Sequence, residues 1–172
     1  MSHPKILHAA DWRWAIDRRC AECGTDASRL DLPTLAGLFR GSAPRFALAL
    51  SAPGIKVRKD PGRWSVLEYC SHVRDLLSVT TGRIELMLEQ DSPVFDDWNQ
   101  DAAATHYETA DPLEVADQLG GEARLLARTL ESIDPTDVHR RGRRSDGTGL
   151  SILAAARYAW HDVAHHLYDV GA

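Results

Sequence analysis

The sequence predicts an all-α chain: a four-helix bundle preceded by an irregular N-terminal extension. Three observations carry that reading. Four long segments place apolar residues at helical spacing, their starts carry capping residues, and no stretch shows the sustained alternation of a strand. The extension covers residues 1–30 and the bundle residues 31–172.

Trp12, Trp14 and Ile16 are the strong apolar anchors of the extension, ahead of a Cys20-Ala21-Glu22-Cys23-Gly24 turn. They should pin the segment across the outside of the core. The first helix begins near Asp31 and Pro33, a capping acid with proline in the first turn. Its apolar face is Leu35, Leu38, Phe39, Phe46 and Leu50, and Pro44 should kink or break it. The second starts at Ser65, three residues before Glu68, the spacing of a capping box, and runs to about Gln90. The third opens with Asp111-Pro112 and carries a stripe that includes Leu113, Leu119, Leu126, Leu130 and Ile133. Gly120-Gly121 interrupts it, at a cost of roughly 1 kcal/mol per glycine, which a close approach by a neighbouring helix would offset. The fourth runs from Ser151 to about Val170. The long connections 91–110 and 134–150 are rich in Asp, Arg, Gly and Thr, and long loops in a compact chain tend to be functional.

A chain of 172 residues suits a single compact body. Its net charge of −5 argues against a nucleic-acid partner, which needs a basic surface, and gives no support to an anionic membrane surface. No stretch has the length of a membrane span, and the start lacks the pattern of a signal peptide. Three cysteines, two of them closely spaced, point to a reducing cytoplasm.

The chemistry gathers on histidine. His161 and His165 are four apart in the last helix, on one face, as two ligands of one metal require. His166 lies well around the helix from His161 and is set aside. Such a pair is as often solvated or core-packed as metal-bound. The third candidate is His72, between apolar residues of the second helix, which alone reads equally as a buried imidazole with a hydrogen-bond partner. Three imidazoles would leave a coordination position for water or substrate, the arrangement of a catalytic rather than a structural site. Glu68 and Tyr69 flank His72 on its own face, and Asp75 follows one turn later.

Trp64-Ser65 opening a helix, then Glu68 and His72, then a His-x-x-x-His pair in the last helix, resemble the DinB/YfiT-like superfamily of metal-binding four-helix bundles. Asp11-Trp12-Arg13-Trp14, the Cys20–Cys23 turn and Arg143-Arg144-Ser145-Asp146-Gly147 resemble an actinobacterial subgroup. The resemblance implies an up-down-down-up bundle, one divalent metal (zinc or nickel) on His72, His161 and His165, and a homodimer. It also implies small-molecule chemistry, either S-transfer with a low-molecular-weight thiol such as mycothiol or metal-dependent hydrolysis; a non-catalytic metal-binding stress-response protein is the competing reading. Related bundles place the 91–110 loop over the metal, which makes Trp98 and Asp101 pocket candidates.

Two features stand beside that pattern. Cys20-x-x-Cys23-Gly has the shape of half a zinc ribbon but needs two further ligands, with Cys70, His8 and His3 as candidates; a redox pair and plain turn cysteines are the other readings. Arg143 and Arg144 lie in a loop crowded with arginine, either solvated or a clamp for a carboxylate or phosphate. The acidic stretch from Asp97 to Glu108 is no calcium loop, because Ala102 stands where the sharp turn needs glycine.

Overall fold

The computed structural model describes residues 12–172. Four long helices make the bundle: α1 (Leu32–Leu50), α2 (Val66–Glu89), α4 (Pro112–Ser132) and α5 (Ile152–Val170), with a short α3 (Gln100–Ala104) in the connection between α2 and α4. Each long helix starts at the capping residue the sequence indicated. Asp31 accepts from Thr34 N–H, Asp111 from Leu113 and Glu114 N–H, and Ser151 from Ala154 N–H. Ser65 and Glu68 close a reciprocal capping box. These side chains satisfy amide donors that the first helical turn leaves without a partner.

Helices α1 and α2 each pack against both α4 and α5 and hardly touch one another, so consecutive helices α1 and α2 lie diagonally across the bundle. The core they share includes Phe39, Phe46, Leu67, Leu77, Leu126 and Val163, all fully buried. Burying a side chain of this size contributes about 1.5–3 kcal/mol, and this core is the main stabilising term of the fold.

Several expectations are corrected. Pro44 sits inside an uninterrupted α1, and no break occurs there. Leu113 is 82% exposed, because it points away from the face of α4 that buries Val115, Leu119 and Ala123. No helix closes on the glycine pair. The nearest atoms to a Cβ at Gly120 would be those of Arg124, and a Cβ at Gly121 would meet nothing within 4 Å. A small antiparallel hairpin was not foreseen: β1 (Arg141–Arg143) pairs with β2 (Gly149–Ser151).

The two long connections hold each other. Phe95 N–H donates to the Arg143 carbonyl at 2.7 Å, Arg143 N–H to the Pro93 carbonyl at 2.8 Å, and the Ser145 hydroxyl to Asp97 at 2.6 Å. Gly142 is required at this junction, since a Cβ there would lie 2.1 Å from the Phe95 ring. The extension enters as a 3-10 turn (Trp12–Ile16) lying against α5. No helix among the described residues is long and apolar enough to cross a membrane.

Candidate metal centres

Helix α5 carries two interleaved i, i+4 pairs, His161 with His165 and Asp162 with His166. Adjacent residues on a helix point about 100° apart, so the two pairs address different neighbours. The structure divides the expected triad along that line. His161 and His165 gather with Cys20 and Cys23, and His72 gathers with Asp162 and His166. Within each group the ligating atoms lie within 4.8 Å of one another, and among the described residues no such group joins His72 to His161 or His165. His166 is separate from His161, as helical phase indicated, but it belongs with His72.

The His72 group is wholly buried. His166 Nε2 lies 3.1 Å from Asp162 Oδ1, and His72 Nε2 lies 3.7 Å from Asp162 Oδ2. His166 Nδ1–H donates to Asp169 at 2.9 Å, which fixes the ring with Nε2 turned toward the other two donors. Burial alone would push the Asp162 carboxyl up, but the hydrogen bond and charge of His166, then of His72, hold it well below the usual range. Burial would lower His166 as well; Asp162 and Asp169 outweigh it and lift that imidazole to about 9. The Nδ1 of His72 is buried and has no hydrogen-bond partner among the described residues. Two imidazoles and one ionised carboxylate, each offering a ligating atom within 4.8 Å of the others, fit a divalent ion with positions left open.

Aromatic rings enclose this group. Trp98 stacks on His72 with centroids 5.3 Å apart and planes 14° apart, Trp64 lies 5.2 Å from His72, and Tyr69 lies 4.9 Å from His166. Burial raises the Tyr69 hydroxyl to about 12, so it stays protonated. Two cavities meet the shell. One of about 330 Å³ is walled by Trp98, Arg83, Arg144, Thr148 and Tyr158. The other, about 510 Å³, is walled by Trp64, Tyr69 and Asp169, with Arg45, Lys59 and Arg63.

The remaining candidates separate. Trp98 and Tyr69 do line the centre. Glu68 does not face it: it bonds Ser65 N–H at 2.8 Å and takes both arms of the Arg58 fork. Asp75 is held by Arg74 at 2.7 Å and by the Tyr107 hydroxyl at 2.8 Å. Asp101 is exposed on α3, with no place in either metal-capable group. Arg144 borders a cavity, whereas Arg143 lines neither cavity: its backbone pairs in the hairpin and the residue is exposed. Arg83, Asp162 and Asp169 escaped notice in the sequence. The Asp162–His166 spacing was the available signal, and Asp169 lay one further turn along the same face.

The Cys20–Cys23 turn sits on α5. Cys20 Sγ approaches His165 Nδ1 at 3.9 Å, and Gly24 closes the turn with a φ of +75° that favours glycine. Burial lowers His161 to about 4, leaving a neutral imidazole. It also pushes the Cys23 thiol up, opposite to the depressed pKa of a redox-active pair. Cys70 is fully buried in the core, and burial raises its thiol to about 12. His3 and His8 lie outside the described residues.

A model of the DinB superfamily matches residues 9–170. The chain belongs to the DinB superfamily. Among solved structures it is similar to YfiT from Bacillus subtilis, described as a probable metal-dependent hydrolase with an unusual four-helix bundle topology. The TM-score is 0.71 at 15% identity, over 85% of this chain and 86% of that one. It is also similar to a mycothiol-dependent maleylpyruvate isomerase, with a TM-score of 0.64 at 13% identity, over 86% of this chain and 64% of that one. At such identities the likeness is one of fold. No curated protein matches the sequence.

Proposed function

We propose that this DinB protein is a metal-dependent enzyme acting on a small molecule, with His72, Asp162 and His166 as the ligands of the working ion. The observation that carries the reading is that buried donor set, with aromatic walls shared by two cavities that each carry arginine. When bound, a divalent ion supplies Lewis acidity toward a thiol or a water molecule. The chain's own residues do the rest. Asp169 orients His166, Trp98 and Trp64 keep bulk water from His72, and Arg83 with Arg144 offer paired forks to a carboxylate on the substrate. The cationic wall of Arg45, Lys59 and Arg63 suits a polar, anionic co-substrate.

Within that class we favour S-transfer from a low-molecular-weight thiol of the mycothiol kind, supported by the fold shared with the mycothiol-dependent isomerase. Hydrolysis is the second reading, supported by the fold shared with YfiT. The test is turnover by zinc- or nickel-loaded protein, scored on mycothiol conjugation to electrophiles and on an ester and amide panel. His72→Ala and Asp162→Ala should each lose one metal equivalent and lower turnover by roughly 100-fold or more while remaining folded. Background conjugation alongside ester cleavage would replace transfer by hydrolysis. Wild-type turnover in His72→Ala would remove the centre from the reaction. No turnover, with stability lost in His72→Ala, would make this a metal-binding module rather than an enzyme.

A further inference from the structure

We infer that Cys20, Cys23, His161 and His165 form a second, closed metal site, a structural Cys2His2 zinc centre that fastens the N-terminal segment to α5. It is separate from the centre proposed above and takes from the family-implied triad the two histidines that would otherwise serve there.

The geometry points to zinc in three ways. First, the ligating atoms of all four residues lie within 4.8 Å of one another, and Cys20 Sγ is 3.9 Å from His165 Nδ1. Ordinary Zn–S and Zn–N bond lengths set edges of about 3.3–3.8 Å in a tetrahedron, so the donors stand almost at ligand spacing. Second, the turn is built to aim two thiols. Cys20 N–H donates to the Thr25 carbonyl at 2.8 Å, Gly24 N–H donates to the Cys20 carbonyl at 3.1 Å, and Gly24 takes the left-handed conformation. Third, the far nitrogen of His165 is already met by carboxylates, with Nε2 3.4 Å from Glu22 and 3.9 Å from Asp169. That is the carboxylate–histidine–metal arrangement which fixes a ligand's tautomer and turns Nδ1 to the ion. With two thiolates and two imidazoles the tetrahedron is full, leaving no position for substrate. Each thiol gives its proton to solvent as the ion binds.

Cobalt reconstitution tests this directly, with Co2+ alone as the probe. Wild-type protein should take two equivalents and show tetrahedral d–d bands with a thiolate-to-metal charge-transfer band. Cys20→Ser/Cys23→Ser should take one equivalent and lose the charge-transfer band, whereas His72→Ala should keep that band and lose the other equivalent. A wild-type spectrum without thiolate charge transfer overturns the inference, as does a double variant that still takes two equivalents. Loss of the thiolate band in His72→Ala also overturns it, because His72 would then share the ion. One equivalent in wild type, with the band present, upholds this site while defeating the catalytic centre. Should the double variant fail to fold, alkylation of Cys23 in wild-type protein decides: it should be about tenfold faster after zinc is chelated, and an unchanged rate overturns the site.

Discussion

Asp169 serves both imidazole clusters: its Oδ2 accepts from His166 Nδ1 at 2.9 Å and lies 3.9 Å from His165 Nε2. Its partners stand three and four residues back on α5, so helical spacing allows both contacts, but only the fold shows that the two imidazoles belong to different clusters. Glu68 shows the same limit. Its capping-box spacing was legible, yet its second duty was not, because Arg58 lies ten residues away in a loop whose path only the fold sets. Burial alone would raise the Glu68 carboxyl; the Arg58 hydrogen bond and the Ser65 amide hold it below its ordinary value. A carboxyl held low in the folded state contributes stability above its unfolded pKa of about 4.3, and that contribution is lost as pH falls through the folded value. Glu68→Gln should therefore cost about 2 kcal/mol at neutral pH. Urea titrations should show the gap to wild type shrinking in acid; a gap independent of pH would show that the charge is not what matters.

At the level of elements, the capping residues of α1, α2, α4 and α5 were readable because caps are local: a side chain bonds an amide two or three residues away. The glycines of α4 were misjudged because their neighbours are not local. Gly121 meets nothing within 4 Å of a built Cβ and sits mid-helix, so it carries an entropic cost with no packing in return. Gly121→Ala should raise stability by about 0.5–1 kcal/mol, or roughly 1–4 °C in Tm. A lower Tm would mean that α4 needs that space. The hairpin escaped the sequence for a similar reason. Three-residue strands have too little length to show alternation, and Gly142 reveals its purpose only against the Phe95 ring.

At the scale of the whole molecule, the two donor groups stand on α5 and draw in α2 on one side and the N-terminal segment on the other. Ions bound in both would tie three parts of the chain together, and a ligand that binds only the folded state stabilises it by mass action. Stripping with a chelator should lower Tm by roughly 10 °C, on the basis of about 4 kcal/mol at saturating metal. Zinc should restore it. Calorimetry showing the same Tm with and without chelator would mean that neither centre contributes to stability.

By itself the sequence determined the four long helices, their starts and most of their apolar faces, and it pointed to histidine and to the Cys20–Cys23 turn as the metal-capable residues. All of these depend on contacts within a few residues or on helical period. What only the tertiary structure decided is the partnership of the histidines. Residues 161 and 162 are neighbours in the chain, but a 100° step on α5 sends one toward Cys20 and Cys23 and the other toward His72. A metal site is a coincidence of atoms in space, and the fold sets which donors coincide.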